Sequence, residues 1–369
     1  MTQSENSPMA VASGIPAPDD VRSILVCQLR QIGDVLLSTP SIELLARRFP
    51  KARIHVLTEN KCMPMLEDNP HIHRIWPIDK QALRLPWKAL AYYWQVANNN
   101  YDLVVDFQQL PRCLAVVALT RAKVRLSYPP PWYRRPFYTH WSDATPCYAA
   151  AYKAAVLKPL GITWQGERPK LYLTGEERDF AKGFLASLGL APNRFFSFDT
   201  THKHNTRRWP LAHYAELITL MAERYPDYGF FLSYGPGEKE GVDEVIRLCQ
   251  TMGQNADRVK TYEKAISLRQ LCACMEQSVM HVGNCSSPRH IAVALGLPTM
   301  TILGSSSTGW SFPAPEHGVL QARAFMDMPC QPCNKHECRD NAPCLYRITP
   351  QMAFAAIEGH IGQFCILDK

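Results

Sequence analysis

The sequence predicts an α/β protein made of two domains, each a parallel sheet covered by helices. Three observations carry that prediction. Short β-branched or aromatic apolar runs alternate with helical stretches at the spacing of strand–helix–strand units. The alternation occurs twice, with a junction near Pro169–Gly175. The length, 369 residues, suits two domains of ordinary size. The halves share a class and not a sequence, so they are two domains and not a repeat. The expected divisions are a leader over 1–20, a first domain over 21–172, a second over 173–348 and a C-terminal helical segment over 349–369. The second domain includes the Cys-rich segment 330–344.

In chain order, Met1 to Asp20 is rich in Ser, Pro and Ala and has neither a basic nor an apolar signal region, so it reads as a disordered leader. Strands are expected at Ile24–Cys27, Arg53–Leu57, Arg74–Ile78, Asp102–Asp106 and Val124–Leu126, with helices at Ser41–Phe49, Pro86–Ala97 and Leu110–Thr120. Ser127 to His140, with three consecutive prolines and many aromatics, reads as irregular. The second half offers strands at Phe195–Phe198, Phe230–Ser233, Val279–Val282 and Thr299–Leu303. Its helices are expected at Leu211–Arg224, Glu238–Thr251, Ser267–Glu276 and Pro288–Leu295. A last helix, Pro350–Phe364, follows the Cys- and Pro-rich segment.

Composition narrows the function classes. With 46% hydrophobic and 20% charged residues the chain is globular. No apolar run approaches the roughly 20 residues of a membrane span. The 13 cysteines sit mostly alone in apolar runs without a secretion signal, which points to reduced thiols in the cytosol. A net charge of +7 suits an acidic small molecule, an anionic lipid surface or nucleic acid. There is no Gly-x4-Gly-Lys-Ser/Thr loop and no Gly-x-Gly-x-x-Gly after the first strand, which argues against NTPases and dinucleotide oxidoreductases.

Five stretches carry chemistry. In Leu29–Pro40 a strand leads through Gly33 into a helix, placing Asp34 at a strand's carboxyl end, where open α/β sheets bind ligands. Asp34 there either caps the helix or takes a proton from a hydroxyl. Asp199–Pro210 holds Thr200, Thr201, Lys203, Arg207 and Arg208 between a strand and a helix start, an anion site suited to a diphosphate. Val282–Ala292 repeats that geometry with Asn284, Cys285, Ser286 and Ser287, and with His290 in the first helical turn as either a structural or a functional group. Cys330-x2-Cys333-x4-Cys338-x5-Cys344 reads as a structural zinc site, as reduced thiols or as redox pairs. Arg121, Lys123, Arg125, Trp132, Arg134 and Arg135 form an aromatic and basic stretch that fits an anionic, sugar-like acceptor, an anionic membrane surface or a solvated loop. No Asp-x-Asp occurs, so cations and a helix N-terminus would have to hold a donor diphosphate.

Together these stretches resemble glycosyltransferase family nine, the ADP-heptose:lipopolysaccharide heptosyltransferases, from Ile24 to the C-terminus. Leu29–Pro40 is similar to the opening R-x-x-G-D-V-L-x-T-P, and Asp34 falls on the family's proposed base. Tyr101–Gln108 resembles YDLVIDLQ. Arg207–Pro210 falls on K-x-W-P, whose Lys contacts donor phosphate, and Gly235–Glu238 on the G-x-x-x-E turn, whose Glu lies near adenosine. Asn284–His290 falls on N-D-S-G-P-M-H, and Leu295–Gly304 on L-G-x-P-x-x-x-L-F-G. Many members also carry the Cys-x2-Cys-x4-Cys tail. The resemblance implies a GT-B fold, two Rossmann-like domains facing a central cleft, with the last helix crossing back to the first domain.

The implied activity is inverting, metal-independent transfer of a heptose or similar sugar from a nucleotide sugar such as ADP-heptose to the lipopolysaccharide inner core. Asp34 would be the base. Thr200, Thr201, Arg207, Glu238, Asn284, Cys285, Ser286, Ser287 and His290 would hold the donor. Arg30, Gln108, Arg112, Arg134 and Arg135 would hold the acceptor. No cofactor is required beyond a structural zinc on the four cysteines, and nucleic acid is not a partner. The location implied is cytoplasmic, peripheral at the inner face of the cytoplasmic membrane. The departures lie on the donor side: Cys285 replaces an Asp, Ser287 a Gly and Arg207 a Lys, while Ser305–Thr308 stands where G-P-T-x-P follows Gly304. They favour as an alternative a non-catalytic GT-B protein binding nucleotide or glycan; a more distant alternative, resting on the cysteine tail, is a metal-dependent interaction module that contacts protein or nucleic acid.

Overall fold

The computed structural model describes residues 12–145, 147–253, 256–310, 318 and 322–367. The chain divides between Tyr172 and Leu173 into two units.

The first unit holds a six-stranded parallel sheet: β1 (Ser23–Cys27), β2 (Arg53–Glu59), β3 (Arg74–Ile78), β4 (Leu103–Asp106), β5 (Val124–Ser127) and β6 (His140–Trp141). Its order is β3-β2-β1-β4-β5-β6. The order reverses between β1 and β4, the switch point at which such sheets bind ligands beyond their carboxyl ends. The helices are α1 (Ile32–Leu36), α2 (Thr39–Arg48), α3 (Pro86–Ala97), α4 (Pro111–Leu119) and α5 (Ala149–Ala154). Pro at the first turn of α2, α3 and α4 starts each without losing a hydrogen bond. β1 is apolar on both faces because helices cover both, and Ile24, Leu25, Val26 and Cys27 are all fully buried.

Two expectations change here. β4 begins at Leu103, because the Asp102 carboxylate turns back to accept the backbone N–H groups of Arg22 and Ser23, at 2.7 and 3.0 Å. Residues 12–20 of the expected leader are tied down and not disordered. The Ala12 N–H donates to Pro159 O at 2.9 Å, and Asp19 pairs with Lys51 at 2.7 Å. Residues 1–11 lie outside the described residues.

The second unit repeats the plan with α6 (Gly175–Ser187), β7 (Phe195–Asp199), α7 (Leu211–Arg224), β8 (Gly229–Ser233), α8 (Lys239–Met252), β9 (Val259–Lys260), α9 (Leu268–Glu276), β10 (Met280–Asn284), α10 (Ser287–Leu295), β11 (Thr299–Leu303), β12 (Ala322–Phe325), α11 (Pro343–Tyr346) and α12 (Pro350–Phe364). Sheet order is β12-β11-β10-β7-β8-β9, all parallel. Capping boxes at Thr174/Glu177 and Ser267/Gln270 fix the starts of α6 and α9. One sheet face is an apolar core of Phe196, Phe198, Phe230, Val282, Met300 and Ile302 beneath α7 and α12. Ala353, Ile357 and Ile361 of α12 belong to this second core, packed on α7 and β12, because that face of the sheet needs their apolar cover.

Among the described residues, no helix is long and apolar enough to cross a membrane.

Candidate active site

In the first unit, candidate side chains gather at the carboxyl end of the sheet. Asp34 is the third residue of α1, and its Oδ2 accepts the Gln31 N–H at 3.3 Å, so it does cap the helix. It also remains reachable, with 28% of its side chain exposed, and Lys153 Nζ stands 3.4 Å from its Oδ1. Each carboxylate oxygen has two lone pairs, so both contacts leave acceptor capacity for a hydroxyl proton. Cap and base are therefore compatible roles.

Lys153 is one residue that the sequence reading missed. It projects from α5, is 7% exposed, and donates to Gln28 Oε1 at 2.9 Å. Burial lowers its pKa from the ordinary lysine range, and the Asp34 charge opposes that shift. Its only sequence signal was a single cation in the apolar run Ala149–Leu157.

The loop preceding α1 is held from two sides. Gln28 Nε2 donates to Arg30 O at 3.0 Å, and Gln108 Oε1 accepts the N–H groups of Leu29 and Arg30 at 2.9 and 3.3 Å. Gln108 Nε2 also donates to Arg30 O. Gln108 thus shapes the Asp34 loop. It is itself placed by fully buried Asp106, whose carboxylate accepts the Gln108 and Gln109 N–H groups at 2.9 Å each and the Tyr138 hydroxyl at 2.7 Å. Burial raises the Asp106 pKa.

Beside this loop, Leu29, Arg30, Glu59, Leu110, Pro111 and Arg112 line a cavity of about 220 Å³. Buried Glu59 pairs there with Lys80 at 2.7 Å, Arg112 at 3.6 Å and Lys61 at 3.8 Å. Three cations on one carboxylate leave a net positive rim with Arg30 on it, as an anionic acceptor requires. Arg134 reaches the same region by donating to Gln109 O at 2.5 Å, while its Nε is buried without a partner. Arg135 stays exposed, its guanidinium 6.0 Å from the Trp141 ring centre.

In the second unit, the predicted donor residues also meet at strand carboxyl ends. Thr201 Oγ1 donates to Glu238 Oε2 at 2.9 Å, and the Gly235 N–H donates to the same oxygen at 3.1 Å. Thr200 Oγ1, Ser305 Oγ, Ser306 Oγ and Arg207 Nε are buried without partners, so unspent hydrogen-bonding groups ring this end of β7 and β11. Cys285 and His290 are nearly buried, at 6% and 8% exposure, and Ser286 and Ser287 are half-buried. His290 Nε2 lies 3.3 Å from Arg289 Nη2.

Asn284 sits beneath this turn. It is fully buried, accepts the Trp209 N–H at 3.0 Å, and donates to Asp199 O and Thr201 O at 3.3 and 3.2 Å. Its amide clamps three loops together at the end of β10.

A second missed residue is Asp199. The Ser286 hydroxyl donates to its Oδ2. Burial pushes its pKa up to about 7, with the Ser286 hydrogen bond opposing and the Glu238 charge adding. This places a carboxylate at the turn where Cys285 supplies none. Gly283 makes room for it, since a Cβ there would sit 2.9 Å from Asp199 Cβ.

The Cys-rich segment is anchored by hydrogen bonds. Gln331 Nε2 donates to Gly304 O at 2.6 Å, the Asn334 N–H to Ser305 O at 2.9 Å, and Thr206 Oγ1 to Lys335 O at 2.7 Å. Among the described residues no three His, Cys, Asp or Glu side chains come together to hold a metal ion. Cys330, Cys333, Cys338 and Cys344 form no disulfide, and the first three lie near enough to Cys344 to add to the burial that raises its thiol pKa. The first three line a 1020 Å³ basic cavity with Lys203, Arg208 and Lys335.

Two parallel six-stranded sheets, each with chemistry at its carboxyl edge, are the layout shared with known sugar transferases. Residues 90–342 match the model of glycosyltransferase family 9 (heptosyltransferase). The chain is 25% identical over 341 residues to lipopolysaccharide heptosyltransferase 3 of Escherichia coli K12, covering 89% of this chain and 95% of that one. Among solved structures it resembles a family 9 glycosyl transferase from Veillonella parvula, with TM-score 0.79 and 22% identity over 93% of this chain and 98% of that one. It also resembles E. coli ADP-heptose lps heptosyltransferase II, with TM-score 0.73 and 18% identity over 93% and 99%. The fold is GT-B, and this chain belongs to glycosyltransferase family 9, the heptosyltransferases.

Proposed function

We propose that the protein transfers a heptose from ADP-heptose to the inner core of lipopolysaccharide, with inversion at the anomeric carbon. The observation that carries this is Asp34, a part-exposed carboxylate at the switch point of the first sheet, with buried Lys153 at its side. In the reaction, an acceptor hydroxyl gives its proton to Asp34 as its oxygen bonds to the anomeric carbon. The bond from that carbon to the diphosphate oxygen breaks with its electron pair, and ADP leaves from the opposite face.

General-base help of this kind contributes about 10²–10⁴-fold. Arg207 and the N–H groups opening α7 would stabilise the leaving diphosphate in place of a carboxylate-held metal. Glu238, Thr201 and the 284–290 turn would hold nucleoside and sugar, with Asp199 and Ser286 offering acceptors for sugar hydroxyls. The cations at Arg30, Arg112, Arg134 and Arg135 suit the phosphates and acid sugars of the acceptor. Because that acceptor is built on a lipid, transfer would take place at the inner face of the cytoplasmic membrane.

The experiment is a donor screen with purified protein and heptose-free core acceptor, reading product mass and anomeric configuration by NMR. A one-heptose mass gain with inverted configuration supports the reading. Turnover of a different nucleotide sugar alone, or a retained configuration, would replace it.

A further inference from the structure

Helix α3 presents an apolar face to water. Its inner face, Tyr93, Val96 and Ala97, is part of the first unit's core. Its outer face carries Trp87, Leu90 and Trp94 at helical spacings of three and four, exposed by 65, 58 and 57%. Leu85, just before the helix, is 39% exposed. Exposed tryptophans in a row on one helix are costly in water and mark a contact surface.

The charge around this stripe says what it contacts. From Asp79 to Asp143 the chain holds nine Lys and Arg (80, 84, 88, 112, 121, 123, 125, 134 and 135) and four carboxylates, Asp79, Asp102, Asp106 and Asp143. Asp102 accepts backbone N–H groups and Asp106 is fully buried, which leaves Asp79 and Asp143 as the exposed ones and the segment strongly basic. Arg84 and Lys88, flanking Trp87, are exposed and make no ion pair among the described residues. α4 packs between α3 and the turn Trp132–Phe137, which shows Trp132 at 80% and Tyr133 at 54% exposure beside Arg134 and Arg135.

We infer that α3 is a membrane-docking helix, seating Trp87, Leu90 and Trp94 in the interfacial layer of an anionic bilayer while Arg84 and Lys88 bind lipid phosphates. Tryptophan suits that layer because its ring is apolar with one polar N–H. Apolar anchors combined with cations are what an interfacial helix uses on anionic lipid. This rests on the proposal of a lipid-borne acceptor, which it deepens by naming the surface that brings the enzyme to it.

The test is co-sedimentation of the full chain with vesicles of phosphatidylcholine, alone or with 30% phosphatidylglycerol. The parent should partition at least about tenfold more strongly onto the anionic vesicles, with a blue shift in tryptophan emission. Trp87→Ser/Leu90→Ser/Trp94→Ser should lose at least about tenfold of that binding. It should keep the parent's circular dichroism and its transfer to a water-soluble core oligosaccharide. Arg84→Glu/Lys88→Glu should weaken binding about tenfold or more, and added salt should weaken the parent's binding likewise.

Equal partitioning of the triple variant and the parent would overturn the inference. So would a parent that ignores anionic vesicles and runs as a dimer which the triple variant breaks, because a second copy would then cover the stripe. Vesicle binding is read without donor or acceptor, so a chain that transfers sugar but ignores vesicles sinks only this inference. One that binds vesicles but transfers nothing sinks only the proposed reaction.

Discussion

Asp34 does two things with one carboxylate, capping α1 through Oδ2 and facing Lys153 through Oδ1. Replacing Lys153 by Met removes the buried cation while filling its space. The proposed role predicts a kcat lower by at least about tenfold with donor KM unchanged, measured by steady-state kinetics. Asp199 makes a prediction in pH. Its folded pKa, near 7, lies above the ordinary carboxylate value of 3.8, so the native state binds more protons than the unfolded chain between those values. Stability contributed by the neutral carboxyl is therefore lost as pH rises from about 4 to 7. Asp199→Asn should melt higher than the parent at pH 8, by about 2–4 °C per kcal/mol recovered, and at the same temperature near pH 4, as differential scanning fluorimetry would show.

These two residues also mark the limit of what could be read from the sequence. Asp34 was legible because its motif is local. Lys153 meets it only when α5 closes on the sheet, 119 positions later in the chain. Asp199 gains its role only by pairing with Ser286 from another loop. Gln108 and Asn284 were legible as important, but only hydrogen-bond geometry shows them bracing loops.

Among the elements, the strands that sit between helices were readable from their apolar runs, and the edges were not. β6 and β9 have two residues each, too short for any periodic signal, and β12 follows a segment without one. The order of residues 12–20 and the packing of the last helix could not be read, for a common reason. Each is fixed by contacts far away in sequence: Ala12 with Pro159, and α12 with α7 and β12.

Packing at the end of β11 gives a prediction at this scale. A Cβ on Gly304 would stand 2.2 Å from Thr206 O and 2.9 Å from Leu345 Cγ. Gly304→Ala must push the end of β11 away from the Thr206 turn and from α11, and should cost about 1–3 kcal/mol in denaturant unfolding. Because Thr206 neighbours Arg207, it should raise donor KM as well. Ile357→Ala, which opens a hole under α12, should cost about 2–5 kcal/mol but leave donor KM unchanged.

For the whole molecule, the division of labour follows the division of the chain. On the proposed reaction, the first unit would carry the base and the acceptor cations, and the second the unspent polar groups of a donor site. ADP should therefore stabilise the second unit selectively, raising its calorimetric transition while a transition from the first unit stays in place. On the proposed reaction, the departures at Cys285, Ser287 and Arg207 would bear on which donor is taken, with Asp199 placing a carboxylate beside Ser286 at that turn. The central claim is that Asp34 removes the acceptor proton, and the most direct measurement is single-turnover transfer of heptose by Asp34→Asn with saturating donor and acceptor. The account predicts a rate about 10²–10⁴-fold below the parent with donor affinity unchanged. Transfer at the parental rate would contradict it.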